Sequence, residues 1–181
     1  MPTMLAAALR SALLAVALAL AGLAPSSAAA AKVKVALFLF ELEDTSLEGE
    51  LRGERADETA RLRLVTDEAR RLIAEADPDV AFVDLAPVAA KLAEKAPLYK
   101  CNGCEADLAR EAGADLSVSG WVQKVSNLIL NLNLSVRDAR TGERLRLYSA
   151  DIRTNSDEMW LRGMRYLVKN RLMEHPLSSG R

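Results

Sequence analysis

From Asp115 to Arg137 the chain reads DLSVSGWVQKVSNLILNLNLSVR, two runs of strict alternation set back to back. In the first, Leu116, Val118 and Val122 share one side, and Ser117, Ser119, Trp121 and Gln123 the other. In the second, Leu128, Leu130, Leu132, Leu134 and Val136 lie opposite Asn127, Ile129, Asn131, Asn133 and Ser135. A period of two over this length predicts a pair of half-buried antiparallel strands, one face on a core and one wetter. The wetter face is rich in amides and hydroxyls, carries one large aromatic, and holds almost no charge.

The other segments fall around this pair. Val33 to Glu41 (VKVALFLFE) is apolar on both sides, as expected of a strand buried inside a sheet. The acidic stretch LEDTSLEGELRGERAD has no period and predicts an irregular loop. A helix is predicted over 57–76, with Leu62, Val65, Ala69, Leu72, Ile73 and Ala76 as its apolar stripe and Pro78 at its end. Val80 to Asp84 predicts a short strand, and Asp84 is placed to cap a helix with Pro87 in its first turn and Val88 and Leu92 on its buried side. Pro97 breaks that helix. CNGCEADLAREAG then gives a turn and a short helix closed by Gly113.

After the alternating pair, Thr141-Gly142 marks a tight turn into a last strand over 144–153. Asn155 or Ser156 caps a final helix whose core stripe is Trp160, Met164, Leu167, Val168 and Leu172. The expected fold is α/β (α+β): a mixed five-stranded sheet with helices mainly on one face, in the order β-α-β-α-α-β-β-β-α. That arrangement leaves the amide-rich face of the strand pair partly open.

The first thirty-one residues stand apart from this pattern. Arg10 precedes an apolar run from Ser11 to Leu23, then Pro25, Ser26 and Ser27, and then alanines to Ala31. That order predicts a secretory signal peptide, residues 1–31. A membrane anchor is the competing reading, but the run is short for a spanning helix and alanine-rich. The absence of a nearby cysteine argues against a lipid anchor. Cleavage after Ala31 leaves 150 of the 181 residues, enough for one core. The expected organisation is a single α/β domain over 32–176 and a disordered tail over 177–181, with a periplasmic location and no transmembrane segment after cleavage.

Loss of Arg10 with the leader leaves 23 basic against 25 acidic side chains. Such a balance provides no global field to hold nucleic acid or an anionic membrane. Charge is uneven all the same. Residues 41–58 carry eight acids against Arg52 and Arg55, and residues 137–171 carry nine bases against five acids. Two solvated faces explain this, and a polarised docking surface is the alternative.

Candidate chemistry is sparse. His175 is the only histidine and sits beside Pro176 near the end, which removes histidine-based triads, histidine metal clusters and most acid–base schemes near neutral pH. Cys101 and Cys104 form a C-x-x-C at a helix start. A helix N-terminus lowers a thiol's pKa, so a thiol–disulfide redox centre is one reading. A structural disulfide in an oxidising compartment is the other, and the favoured one, because the β-α context of a thioredoxin is missing. Glu105 stands where c-type haem attachment needs histidine, and two thiolates alone make an incomplete zinc site.

Glu41, Glu43, Asp44, Glu48 and Glu50 offer oxygen for a hard cation, yet their spacing matches no calcium loop, so no metal is expected. Trp121, with Gln123, Asn131 and Asn133 as neighbours, forms a candidate binding face, since an indole among amides suits a platform for a partner or polar ligand. A lid, drawn from the acidic loop, burying that face is the equal alternative.

Three stretches carry a resemblance: ELEDTSLEGE, CNGCEADLAREAGADLSVSGWVQKVSNLILNLNLSVRDARTGE and DIRTNSDEMWLRG. Through them the chain resembles an uncharacterised, domain-of-unknown-function family of exported bacterial proteins, over essentially the whole mature length. The element order also resembles the N-terminal domain of TolB and the periplasmic domain of CsgG-type proteins, non-enzymatic modules of envelope assemblies. The first resemblance implies an accessory role beside periplasmic quinoprotein alcohol dehydrogenases and their cytochromes, and the second a role in envelope assembly. Neither supplies catalytic residues or a cofactor. The function expected from all of this is a soluble periplasmic accessory protein that binds a protein partner without catalysis. The alternatives are a thiol–disulfide oxidoreductase using Cys101 and Cys104, or a metal- or solute-binding protein using the acidic loop.

Overall fold

The computed structural model describes residues 31–180. The signal-peptide reading of residues 1–31 falls outside them apart from Ala31, as does Arg181 at the tail's end. Among the described residues no helix is long and apolar enough to cross a membrane.

A mixed six-stranded sheet forms the centre. β1 (Val33–Leu37) lies parallel between β3 (Val80–Phe82) and β4 (Leu116–Ser126), with Val35 opposite Phe82 on one side and Leu116 on the other. β5 (Ile129–Asp138) and β6 (Arg144–Ile152) follow antiparallel, so the sheet reads β3-β1-β4-β5-β6. The sixth strand, β2 (Glu41–Asp44), was not expected. It pairs parallel with β4 beyond the end of β1.

The register explains how one apolar run became two strands. Leu37 lies opposite Val118 and Glu41 opposite Trp121, so residues 38–40 span only two positions of β4. One extra residue on one strand is a bulge, and it reverses which side the following residues face. Phe38 and Phe40 therefore both reach buried positions, on opposite faces, while Leu39 is left 49% exposed. A Cβ at Gly120 would overlap the Phe40 ring, so the glycine makes room for the bulge. The Phe40 amide is satisfied by Thr66 Oγ1 at 2.9 Å.

The stretch expected to be an irregular loop thus holds β2 and then α1 (Leu47–Arg52), capped by Ser46, whose hydroxyl accepts from the Gly49 amide at 3.1 Å. The remaining helices are α2 (Ala56–Ala76), α3 (Ala89–Lys95), α4 (Cys104–Glu111) and α5 (Asp157–Asn170). The α2 stripe is buried as read, except that Ala76 is exposed and Glu58 and Thr66 are buried in addition. Ser156 caps α5, and Asn155 instead accepts the Trp160 indole N–H at 3.1 Å.

The two long helices, α2 and α5, cover one face, where Leu130, Leu132, Leu134 and Val136 meet Val65, Ile73, Trp160, Met164 and Leu167 in the main core. Helices are not confined to that face. A smaller core on the other side packs α3, α4 and the 3-10 turns at 86–88 and 98–100 over Ala36 and Phe38. The reason is β1, which is apolar on both faces and must be covered on both. Leu128, expected in the leucine stripe, is 69% exposed because it sits in the β4–β5 turn. The tail expected to be disordered forms a 3-10 turn over Leu177–Gly180, with Leu177 buried and the Ser178 amide bonded to Asp77 at 2.9 Å.

Candidate functional site

The face of β4, β5 and β6 turned away from α2 and α5 is built from cross-strand rows. One row runs Glu41, Trp121, Asn133, Ser149, and the next runs Glu43, Gln123, Asn131, Asp151. The four residues read from the sequence as a binding face are therefore direct neighbours: Trp121 faces Asn133, and Gln123 faces Asn131. Asn131 Nδ2 donates to Asp151 Oδ1 at 2.9 Å, and the Ser149 hydroxyl sits between the two asparagines, 2.7 Å from Asn133 Oδ1. These bonds orient the amides along the sheet and leave Gln123 exposed at its outer end.

Burial is graded along the strands. Ser117, Ser119, Ser135 and Arg137 lie buried at the end nearest α4. Arg137 Nε donates to Glu105 at 2.7 Å, and its other nitrogen reaches the Gly142 carbonyl at 2.9 Å. The Ser117 and Ser135 hydroxyls have no hydrogen-bond partner. Trp121 is half-buried, at the boundary between the covered and open parts.

What meets Trp121 is a segment the sequence did not single out. The 3-10 turn at 98–100 places the Tyr99 ring 6.3 Å from the indole, centroid to centroid, with 20° between the planes. Lys100 Nζ stands 5.3 Å from the centroid of the same tyrosine ring. The turn is pinned from two sides. Glu41 accepts from the Leu98 and Tyr99 amides at 2.9 and 3.2 Å, and the Cys101–Cys104 disulfide closes the chain behind it. Burial, with the Glu105 charge adding to it, pushes Glu41 above the ordinary carboxylate range against the lowering effect of those two N–H groups. The lid expected from the acidic loop is thus a partial one, and it comes from the disulfide turn.

The acidic residues do other work. Asp44 accepts from Ser46 and from Lys124 Nζ at 3.0 Å, and Glu48 accepts from Arg55 at 2.8 Å and Asn127 at 2.9 Å. Glu43 is half-exposed on β2 and Glu50 is exposed on α1. The acids are spread over a strand and a helix, and the oxygens of Glu41, Asp44 and Glu48 point to cations and amides already present. Among the described residues the one cluster with metal-ligand spacing is Cys101, Cys104 and Glu105, whose two sulfurs are joined to each other.

A buried ionic centre was missed altogether. Lys124 is fully buried on the core face of β4, 2.6 Å from Glu58, which is also fully buried. Its signal was the same parity that marks Val118 and Val122 as core residues. Tyr99 had no such signal, because its contact with Trp121 is created by tertiary folding alone.

The family described as "Protein of unknown function (DUF2380)" matches residues 33–172, and the chain belongs to it. No curated protein matches the sequence. Among solved structures, the chain is similar to the LpoB C-terminal domain from Salmonella enterica, with a TM-score of 0.46 and 14% identity over 71% of this chain and 87% of that one. It is also similar to the PelC dodecamer from Paraburkholderia phytofirmans, with a TM-score of 0.42 and 12% identity over 83% and 89%. Lipoprotein GNA1162 from Neisseria meningitidis gives a TM-score of 0.44 and 16% identity over 78% and 99%. These likenesses are not to TolB or CsgG-type domains specifically.

Proposed function

We propose that the protein is a non-catalytic accessory protein of the periplasm, exported by its N-terminal signal, that docks a protein partner on the face centred on Trp121. The observation that carries this is the Tyr99–Trp121 stack at the boundary of the covered region. A half-buried aromatic pair, held rigid by Glu41 and the disulfide, presents anchor surface at little entropic cost. Around it lie pre-oriented amides and exposed apolar side chains, Ile129 at 61% and Leu147 at 47%. An aromatic centre within a polar rim, here including Glu43, Asp151 and Lys100, is the layout of protein interfaces. The disulfide suits an oxidising compartment. The sole histidine stands in the C-terminal turns, its carbonyl bonded to Arg146, which gives it no part in this face. The family resemblance implies a role in support of a periplasmic quinoprotein dehydrogenase or of envelope assembly, and the partner itself carries no name on this reading.

The test is capture from envelope extract by tagged mature protein, with melting measured alongside. Trp121→Ala should weaken capture by about 2 kcal/mol or more, as loss of an interface anchor does. Leu132→Ala, fully buried in the main core, should lose about 2–5 kcal/mol of stability instead. Gln123→Arg, a change at the exposed rim, should weaken capture with no shift in melting. Equal thermal losses for Trp121→Ala and Leu132→Ala, together with normal capture by Gln123→Arg, would end the docking idea.

A further inference from the structure

The sheet ends in two unpaired strand edges, and they carry opposite charge. On one side β6 is the last strand, pairing with β5 alone among the described residues. On the other side β3 stops opposite Val35, so β2, paired only with β4, stands at the edge over the other half of the sheet. Beside it runs a groove of about 420 Å³, lined by Leu39, Phe40, Leu42, Glu54, Leu62 and Tyr99 among others. A second hollow of about 240 Å³, lined by Asp44 and Gly53, shares Leu42, Glu54 and Tyr99 with it. An unpaired edge offers its backbone N–H and C=O groups to any extended chain, and most proteins cover or blunt it.

The residues at the two edges are complementary. β6 and its flank carry Arg144, Arg146 and Arg153 against Glu143 and Asp151, a net positive edge, with Leu145 and Leu147 45% and 47% exposed between the arginines. The β2 edge carries Glu41, Glu43 and Glu54, with Leu39 49% exposed. Pairing β6 with β6 of a second copy would bring together two strands of the same net positive charge, Glu143 and Asp151 offsetting only part of it, which like charges oppose. Pairing β6 with β2 brings arginines to carboxylates and apolar residues to an apolar groove. Direction agrees: β2 is parallel to β4 and β4 and β6 are both antiparallel to β5, so β6 and β2 run the same way. A second copy laid beside the first in the same orientation then extends the sheet by a parallel pair.

We propose that this chain assembles head to tail with copies of itself, β6 of one subunit adding to the β2 edge groove of the next. The two surfaces differ, so the contact is heterologous and repeats into a closed ring or an open filament. In such an assembly α5 of one copy comes alongside α2 of its neighbour, as α5 and α2 already lie within one chain through Arg165–Glu68 and Arg61–Asp157.

The experiment is mass measurement by sedimentation on disulfide-intact mature protein at about 100 μM, where a micromolar interface is filled. Wild type should exceed a dimer in mass and fall apart as salt is raised, because screening weakens exposed ion pairs. Arg144→Glu with Arg153→Glu makes both edges acidic, and Glu43→Arg with Glu54→Arg makes both basic. Each double variant should be monomeric, with the melting temperature of wild type diluted until it has dissociated. Mixing the two should restore an alternating assembly, since each mixed contact again joins opposite charges. A monomeric wild type, a dimer that survives either pair of changes, or monomeric variants that stay monomeric on mixing would each overturn the proposal.

Discussion

Lys124 is the residue whose environment departs most from its chemistry. Its ammonium lies at zero exposure, 2.6 Å from Glu58 and 3.0 Å from Asp44. Burial pushes its pKa down, and the Glu58 and Asp44 carboxylates push it up further, so the net shift is upward and the lysine stays charged. Glu58 Oε1 also accepts from Asn155 Nδ2 at 2.6 Å, whereas Oε2 has no partner. Removing one member of a buried pair leaves the other charge uncompensated, which costs more than the pair itself contributes. Lys124→Met should therefore lose about 3–5 kcal/mol in denaturant unfolding. Adding Glu58→Gln to that variant should recover part of the loss, because the stranded charge is gone. A loss under about 1 kcal/mol for the single change would mean that the centre is already hydrated. Lys124 was legible in the sequence, since alternation from Leu116 through Val122 puts it on the core side; only its partners were not. Trp121 was legible as a face residue, yet its half-burial depends on Tyr99, which lies 22 positions earlier and belongs to no periodic segment.

At the scale of elements, long periodic segments could be read and short ones held by distant partners could not. α2, α5 and the β4–β5 pair each repeat their pattern over ten residues or more. β2 and α1 are four and six residues long and bury no side chain fully. Their stability comes from elsewhere: β2 from the β4 ladder, and the turn between them from Lys124 acting on Asp44 and Glu48. An acidic sequence without period hides both. The disulfide turn is another short element with several supports. Its loop is too small to remove much unfolded-state entropy, so changing Cys101 and Cys104 to serine should lower stability by only ~1–2 kcal/mol. Glu41 still holds the Leu98 and Tyr99 amides in that variant, and the fold should persist by circular dichroism with partner capture largely retained. Capture lost with folding intact, or insulin-reducing activity in the wild type, would instead make the cysteines a working thiol–disulfide pair.

For the whole molecule, the ion pairs that join separate elements set the response to pH. Asp44 bonds β2 to β4 and Glu68 bonds α2 to α5. Burial raises Asp44, but the Ser46 and Lys124 bonds outweigh it, and Arg71 and Arg165 hold Glu68 down. Asp57, bonded to Arg55 and Arg61, is lowered to about 2, and Asp138 is lowered by the amides of its turn. A carboxylate with a depressed folded pKa binds fewer protons when folded than when unfolded, so stability rises with pH across the window between the two values. These groups therefore support the fold above roughly pH 4 and lose that support as pH falls toward about 2. Glu41 works in the opposite sense. Its folded pKa is raised, so its contribution is fully present below the ordinary value of 4.5 and is lost as pH rises through the raised one. The melting temperature of the wild type should thus pass through a maximum in mildly acidic solution. Glu41→Gln removes the titration and keeps one acceptor oxygen, for the Leu98 amide at the shorter of the two bonds, while the Tyr99 amide loses its partner. In that variant the acid limb should remain and the decline on the neutral side should flatten. If the neutral limb is unchanged by Glu41→Gln while the Tyr99 turn stays in place, the burial of Glu41 is not what sets it.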